Sequence, residues 1–322
     1  MNSIAISVLS FLFVGISTLL IERKLIPLLS SKTRQPIYEE GPSWHMAKSG
    51  TPTMGGIVFI ISVAISLMLY LLFSKPDQTT VASILIAVAF AVANSMVGIM
   101  DDLTKLKRKA NGGLKPYEKL ILQLLIAIVF LMARRHFLGD ETHLNFSFGN
   151  IELGWLYYPL AILIILGTTN CANLTDGIDG LASSVALTIG FAFVILGANR
   201  NASIAPISAA IIGTALGFLF YNRHPAKIFM GDTGSLFFGG LTCALAFTFG
   251  NPTIILFLGG VYAIEGLSVI LQVIFYKLTK KRLFKMAPLH HHLEKCGLSE
   301  NKICISATIA TLLLSVVAAF IY

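Results

Sequence analysis

The sequence predicts an all-α, polytopic integral membrane protein, one transmembrane domain over residues 1–322 with about ten transmembrane helices. Both termini are expected to be extracytoplasmic and the chemistry is expected on the cytoplasmic face. Three observations carry this. The chain is 55% hydrophobic and 12% charged, with a mean hydropathy of +0.79, whereas soluble domains carry about 25% charged residues. Crossing the hydrocarbon core takes about 20 apolar residues, and ten such segments can be marked: 3–21, 54–73, 81–100, 117–133, 154–171, 181–198, 204–221, 235–250, 253–276 and 303–322. Finally, nineteen of the 24 Lys and Arg fall in the alternate loops 22–53, 101–116, 222–234 and 277–302, four fall in the opposite loops, and Lys119 lies inside a segment. A bias of this size puts the first set of loops in the cytoplasm.

Segment 3–21 has no Lys or Arg ahead of Arg23 and no small-residue cleavage pattern, so it is read as a retained helix and not a signal peptide. The second segment follows "HMAKSGTPTMGG", where Lys48 is either a cation for phosphate or carboxylate or an ordinary headgroup contact. The third ends in "GIMDDLTKLKRK". Adjacent Asp101 and Asp102 repel each other, and a divalent cation or the following lysines must offset that, or one acid stays protonated. Between the fourth and fifth segments, "LNFSFGNIEL" alternates apolar and polar residues and predicts a small external hairpin.

The fifth segment exits to the cytoplasm through "NCANLTDGIDGLA". Asp176 and Asp179 stand three apart, each followed by glycine, so tight turns can bring both carboxylates and free N–H groups to one ligand. Capping of the next helix needs one Asp; two acids and Asn173 exceed it. The seventh segment leads into "YNRHPAKIFMGDTGSLFFGG", which places Asp232 between glycines at the start of an apolar helix beside Thr233 and Ser235. Such a grouping suits Mg²⁺ carried with phosphate oxygens, or a plain helix cap. Phe229 just before it is either a buried anchor or a ring to stack on a base. In the seventh segment, Gly213 and Gly217 have helix-contact spacing.

Glu265 lies midway along the ninth segment. An intramembrane carboxylate is either functional or a pin between helices, and the pin is the preferred reading. Beyond it, "MAPLHHHLEKCG" holds His290, His291 and His292 in succession. Consecutive side chains on a helix do not share a face, which argues against a three-His metal site and for a proton carrier, a phosphate partner or a backbone-bonded positioner.

The four cysteines show no metal-ligand spacing and are expected to be packing residues or reduced thiols. A pI near 9.3 does not imply nucleic-acid binding, because the basic residues follow membrane topology. A secondary transporter is the rival from composition, but transporters keep polar sites near the midplane and often show internal repeats. Here the polar residues gather at one face and no repeat is visible.

Taken in order, "KSGTPTMGG", "DDLTKLKRK", "NLTDGIDGLA", "FMGDTGSLFFGG" and "PLHHHLE" resemble the polyprenyl-phosphate N-acetylhexosamine-1-phosphate transferase superfamily, across almost the whole chain. The triple His points to the branch that transfers phospho-N-acetylmuramoyl-pentapeptide; the N-acetylglucosamine-1-phosphate branch is the alternative. The resemblance implies a multi-pass enzyme of the bacterial cell membrane, a homodimer surrounded by membrane lipids, acting on UDP-MurNAc-pentapeptide and undecaprenyl phosphate with Mg²⁺. It implies that Asp232 ligates Mg²⁺ and that Asp101 and Asp102 serve catalysis or lipid-phosphate activation. Asn173, Asp176, Gly177, Ile178, Asp179 and Phe229 would form or border the uridine and diphosphate pocket, where relatives often have Leu in place of Ile178. Lys48, Asn222, His290 and His291 would contact substrate or assist. The expected chemistry is direct attack by the lipid phosphate with Asp101 as activating residue, since that nucleophile is already anionic.

Overall fold

The computed structural model describes residues 3–30, 48, 50–108, 112–140 and 142–322. Residues 45–47 and 49 of the stretch before the second segment, and 109–111, lie outside the described residues. Nine of the ten expected segments each coincide with one helix, the ninth spans two, and with one further short helix the described residues hold twelve. In chain order they are α1 (Ser3–Ser30), α2 (Ile57–Ser74), α3 (Gln78–Arg108), α4 (Pro116–Leu138), α5 (Tyr157–Thr175), α6 (Leu181–Gly197), α7 (Ile204–Asn222), α8 (Gly231–Thr248), then a one-turn α9 (Ile255–Leu258), α10 (Gly260–Thr279), a short α11 (Leu289–Lys295) and α12 (Glu300–Ile321). Seven of these, namely α2, α3, α4, α5, α7, α10 and α12, are long and apolar enough to cross a membrane by length and composition. The hairpin forms as expected: β1 (His143–Phe146) pairs antiparallel with β2 (Gly149–Glu152), His143 opposite Glu152.

Two boundaries differ from the sequence reading in ways that matter. The ninth segment is broken: Pro252–Ile254 forms a 3₁₀ turn and Gly259 separates α9 from α10. And α3 runs eight residues past its apolar stretch to Arg108, where its acids find partners in other segments: Asp102 in the first turn of α8 and Asp101 in the N–H of Leu114.

Helix α8 is the axis of the bundle. Every residue from Thr233 to Thr248 is buried, with α3 and α5 packed along it. Backbones approach there because side chains are missing. A Cβ on Gly98 of α3 would sit 2.2 Å from the Asp232 carbonyl oxygen, and one on Gly239 of α8 would sit 2.8 Å from Thr169 Cα of α5. Small residues of this kind let membrane helices pack by van der Waals contact alone. The α1–α7 contact works likewise: a Cβ on Gly213 would meet Val14 Cβ at 2.6 Å, which bears out the packing role of the Gly213/Gly217 pair. With α8 gripped on several sides, its first turn becomes a fixed platform.

Candidate active site

The extension of α3 assembles the first cluster. Asp101, Asp102 and Lys105 share a helical turn, where residues three and four apart are neighbours. Lys105 Nζ lies 2.7 Å from Asp101 Oδ2, 3.8 Å from Asp102 Oδ1 and 3.0 Å from Asp232 Oδ1. Asp101 Oδ1 also accepts the Leu114 N–H at 2.9 Å.

The two adjacent acids do different work. Met230, ahead of α8, gives the helix no side-chain cap; Asp102 supplies one from α3. Its Oδ2 accepts the Thr233 N–H (3.0 Å) and hydroxyl (2.7 Å), and its Oδ1 accepts the Asp232 N–H (3.2 Å). These are orphan donors of a helix N-terminus, satisfied by a carboxylate at the positive end of its dipole. Gly231 is required twice over there: its φ is +70°, and a Cβ would lie 2.6 Å from Asp102 Oδ2.

Asp232 instead faces cations. Lys105 meets one oxygen and Lys119, from the first turn of α4, meets the other at 2.7 Å. Burial pushes the Asp232 carboxyl up, but Lys119 and Lys105 outweigh it and hold the group below the usual carboxylate range. Lys119 also donates to Asn173 Oδ1 (2.9 Å), whose Nδ2 donates to the Ser235 hydroxyl (2.8 Å), tying the end of α5 to the first turn of α8. Asp176 follows α5 directly. Burial first, then the charges of Asp232, Asp102 and Asp179, push its carboxyl well above the ordinary range, with Lys105 opposing.

Asp179 borders the same cavity as Asp176, and its carboxylate is also engaged by other protein groups. Its Oδ1 lies 2.7 Å from Lys48 Nζ; its Oδ2 accepts the Ala226 N–H (3.0 Å) and meets His224 Nδ1 at 3.0 Å. Glu300, at the start of α12, accepts the Asp179 N–H (2.7 Å) and pairs with Lys48 at 2.8 Å. Lys48 and Asp179, both expected to hold substrate, pair with each other on the lining of the cavity. Asn222 is equally committed: Oδ1 accepts from the Gly180 N–H and the Ser183 hydroxyl, and Nδ2 donates to the Ile228 carbonyl. Ile178 is buried in the core. These four brace the wall of the site.

The three histidines diverge as expected. His290 is fully buried against Glu265 (Nδ1–Oε2 3.1 Å), His291 pairs with Glu294 at 2.8 Å, and His292 accepts the Lys285 N–H at 3.1 Å. Glu265 thus acts as a pin, between α10 and α11.

All thirteen residues singled out from the sequence border one cavity of about 1500 Å³, larger than the roughly 300–1,000 Å³ of ordinary small-molecule sites. Phe229 is half-exposed on its lining. The lining also includes apolar side chains, Leu120 and Leu174 with Val269, Val273 and Tyr276 of α10. Sequence reasoning missed Lys119, His224 and Glu300, and counted Lys105 only among the lysines that could offset the Asp101/Asp102 repulsion. The available signal for Lys119 was a basic residue inside an apolar segment; His224 and Glu300 had none, because their partners are more than 40 residues away.

The geometry brings acids, cations and apolar side chains to one cavity of a membrane bundle, and comparison with known proteins says whose arrangement this is. Residues 84–250 match glycosyl transferase family 4, and residues 48–60 match phospho-N-acetylmuramoyl-pentapeptide-transferase signature 1. The chain is 41% identical over 319 residues to the phospho-N-acetylmuramoyl-pentapeptide-transferase of Caldicellulosiruptor bescii, covering 98% of this chain and 96% of that one. It is 43% identical over 316 residues to the protein of that name in Desulforamulus reducens, covering 95% and 94%. The chain belongs to the phospho-N-acetylmuramoyl-pentapeptide-transferase family.

In this transferase, one donor set suits a hard divalent cation. Asp101, Asp102 and Asp232 each offer a carboxylate oxygen, all within 4.8 Å of one another, the ligand type Mg²⁺ takes with substrate phosphates. The Lys105 ammonium among these oxygens shows that the cluster already demands a positive charge. The second acidic group, Asp179 with His224 and Glu300, holds Lys48 as its cation.

Proposed function

We propose that this chain transfers phospho-N-acetylmuramoyl-pentapeptide from UDP-MurNAc-pentapeptide to undecaprenyl phosphate, giving lipid I and UMP. One observation carries the reading: three carboxylates and two lysines line the same cavity as a set of apolar side chains from α4, α5 and α10. The charged groups suit a nucleotide diphosphate; the apolar side chains suit a polyprenyl chain arriving from the bilayer. Polar groups gathered at one end of the bundle count against a transporter, which keeps its site near the midplane.

In the proposed mechanism an oxygen of the lipid phosphate attacks the phosphorus bonded to the sugar, the P–O bond to UMP breaks, and UMP leaves with the electron pair. Lys119 and Lys105 draw the diphosphate in and neutralise charge that spreads over its oxygens in the transition state. Asp101, which is not spent on the α8 cap, orients the lipid phosphate. Asp102 keeps the first turn of α8 and Asp232 in place, and Phe229 offers a ring face to the nucleobase. Asp232, with Asp101 and Asp102 beside it, would hold Mg²⁺, which when bound supplies Lewis-acid neutralisation of the diphosphate oxygens. Both termini lie outside a bacterial cytoplasmic membrane in this proposal, with the cavity facing the cytoplasm, and the enzyme works as a homodimer.

The test is UMP release by purified protein in detergent with undecaprenyl phosphate and either UDP-MurNAc-pentapeptide or UDP-N-acetylglucosamine, in Mg²⁺ or EDTA. Mg²⁺-dependent release from the muramoyl substrate alone is expected. Release from UDP-N-acetylglucosamine instead would replace the substrate, and no release from monodisperse protein would overturn the reading.

A further inference from the structure

His290 Nδ1 faces Glu265 Oε2 at 3.1 Å, and the same carboxylate oxygen accepts the His290 backbone N–H at 3.2 Å. A carboxylate accepts, so Nδ1 carries the hydrogen, and in the neutral ring Nε2 is left with a lone pair. That atom is buried and has no hydrogen-bond partner among the described residues. Buried acceptors without partners are uncommon and cost stability, and this one belongs to a residue of the cavity wall.

The other side of the ring is equally constrained. A Cβ on Gly177 would lie 2.1 Å from His290 Nε2, and the next nearest atoms, at 2.7 and 3.2 Å, belong to the same ring. Gly177 is not in the left-handed region, so the backbone tolerates a side chain there; only the imidazole forbids one. Glycine at 177, between Asp176 and Ile178, is the seat of the His290 tip.

We propose that Glu265 and Gly177 are positioning residues that act through His290: the glutamate fixes the ring's tautomer and height, the glycine leaves room for its tip, and Nε2 is thereby held as an acceptor for a hydroxyl or N–H of the nucleotide-sugar. This rests on the transferase reading above. It explains why an acid is placed within a membrane helix and why Gly177 is not another small residue. Because Gly177 covers Nε2 in this structure, the proposal requires the 176–178 turn to shift when the substrate binds.

The experiment is a mutant cycle read as kcat and KM for UDP-MurNAc-pentapeptide, on variants that elute monodisperse. Gly177→Ala and His290→Ala are each expected to lower kcat/KM by roughly tenfold or more, and the double variant to be no worse than His290→Ala, because removing the ring removes the clash. Glu265→Gln, whose carboxamide oxygen still accepts both N–H groups, is expected to retain far more activity than Glu265→Ala, with KM for undecaprenyl phosphate unchanged in both. Full activity in Gly177→Ala, additive losses in the double variant, or equal losses in the two Glu265 variants would overturn the proposal. If Glu265→Ala does not fold, the Gly177/His290 cycle decides alone. Wild-type protein is the control for the reading itself: release from UDP-N-acetylglucosamine only would replace the substrate, and the same cycle would then be run on that substrate.

Discussion

Asp101 and Asp102 are neighbours in sequence with unequal duties, and their substitution should separate structure from chemistry. Asp102 has three donors of the α8 first turn on its two oxygens. Asp102→Ala is expected to lower the melting temperature in detergent, by the equivalent of about 1–2 kcal/mol for a lost N-cap, along with activity. Asp232 caps no backbone N–H among the described residues and meets the ammonium groups of Lys105 and Lys119. Asp232→Asn, which removes the charge that Lys105 and Lys119 share, is expected to lower the melting temperature as well and to lower kcat by about 10²–10³-fold, the usual scale for removing one electrostatic group from a transition state; calorimetry and UMP release on the same preparation check both. At this scale the sequence disclosed acids and histidines, since polar groups stand out against an apolar chain. It could not show that Asp179 and Asn222 are already engaged by other protein groups, because Lys48, Glu300, His224 and Ile228 are brought to them only by folding.

Among the elements, α8 decides where everything else sits. Its flanks are backbone against backbone, so a single methyl has nowhere to go: at Gly98 it would lie 2.2 Å from the Asp232 carbonyl oxygen. Gly98→Ala is expected to destabilise by about 1–3 kcal/mol, the cost of overpacking, and to lower activity further than stability alone explains, because the displaced backbone carries Asp232. A thermal melt and a specific-activity measurement on the folded fraction test this. Helix existence was legible from the lengths of apolar runs. The extension of α3 to Arg108 was not, since the hydrophobic signal ends at the membrane surface whereas the hydrogen-bond ladder does not. Nor was the break at Gly259, where apolar residues continue on both sides and only backbone geometry changes.

For the molecule as a whole, the charge asymmetry predicts one orientation. Cys296 is exposed next to α11, and Phe148 is exposed at the tip of the hairpin. A membrane-impermeant thiol reagent is expected to label Cys296 only after cells are opened, and to label Phe148→Cys in intact cells; the reverse pattern would invert the topology. Helix α3, at 31 residues, is about 46 Å long, against a hydrocarbon core of about 30 Å. It is a ruler as well as a scaffold: it sets how high Asp101 stands above the bilayer centre, while the lipid itself sets how high a substrate headgroup floats. Turnover in nanodiscs of graded acyl-chain length is therefore expected to peak at one thickness and fall on either side, making the enzyme sensitive to the membrane in which it is dissolved.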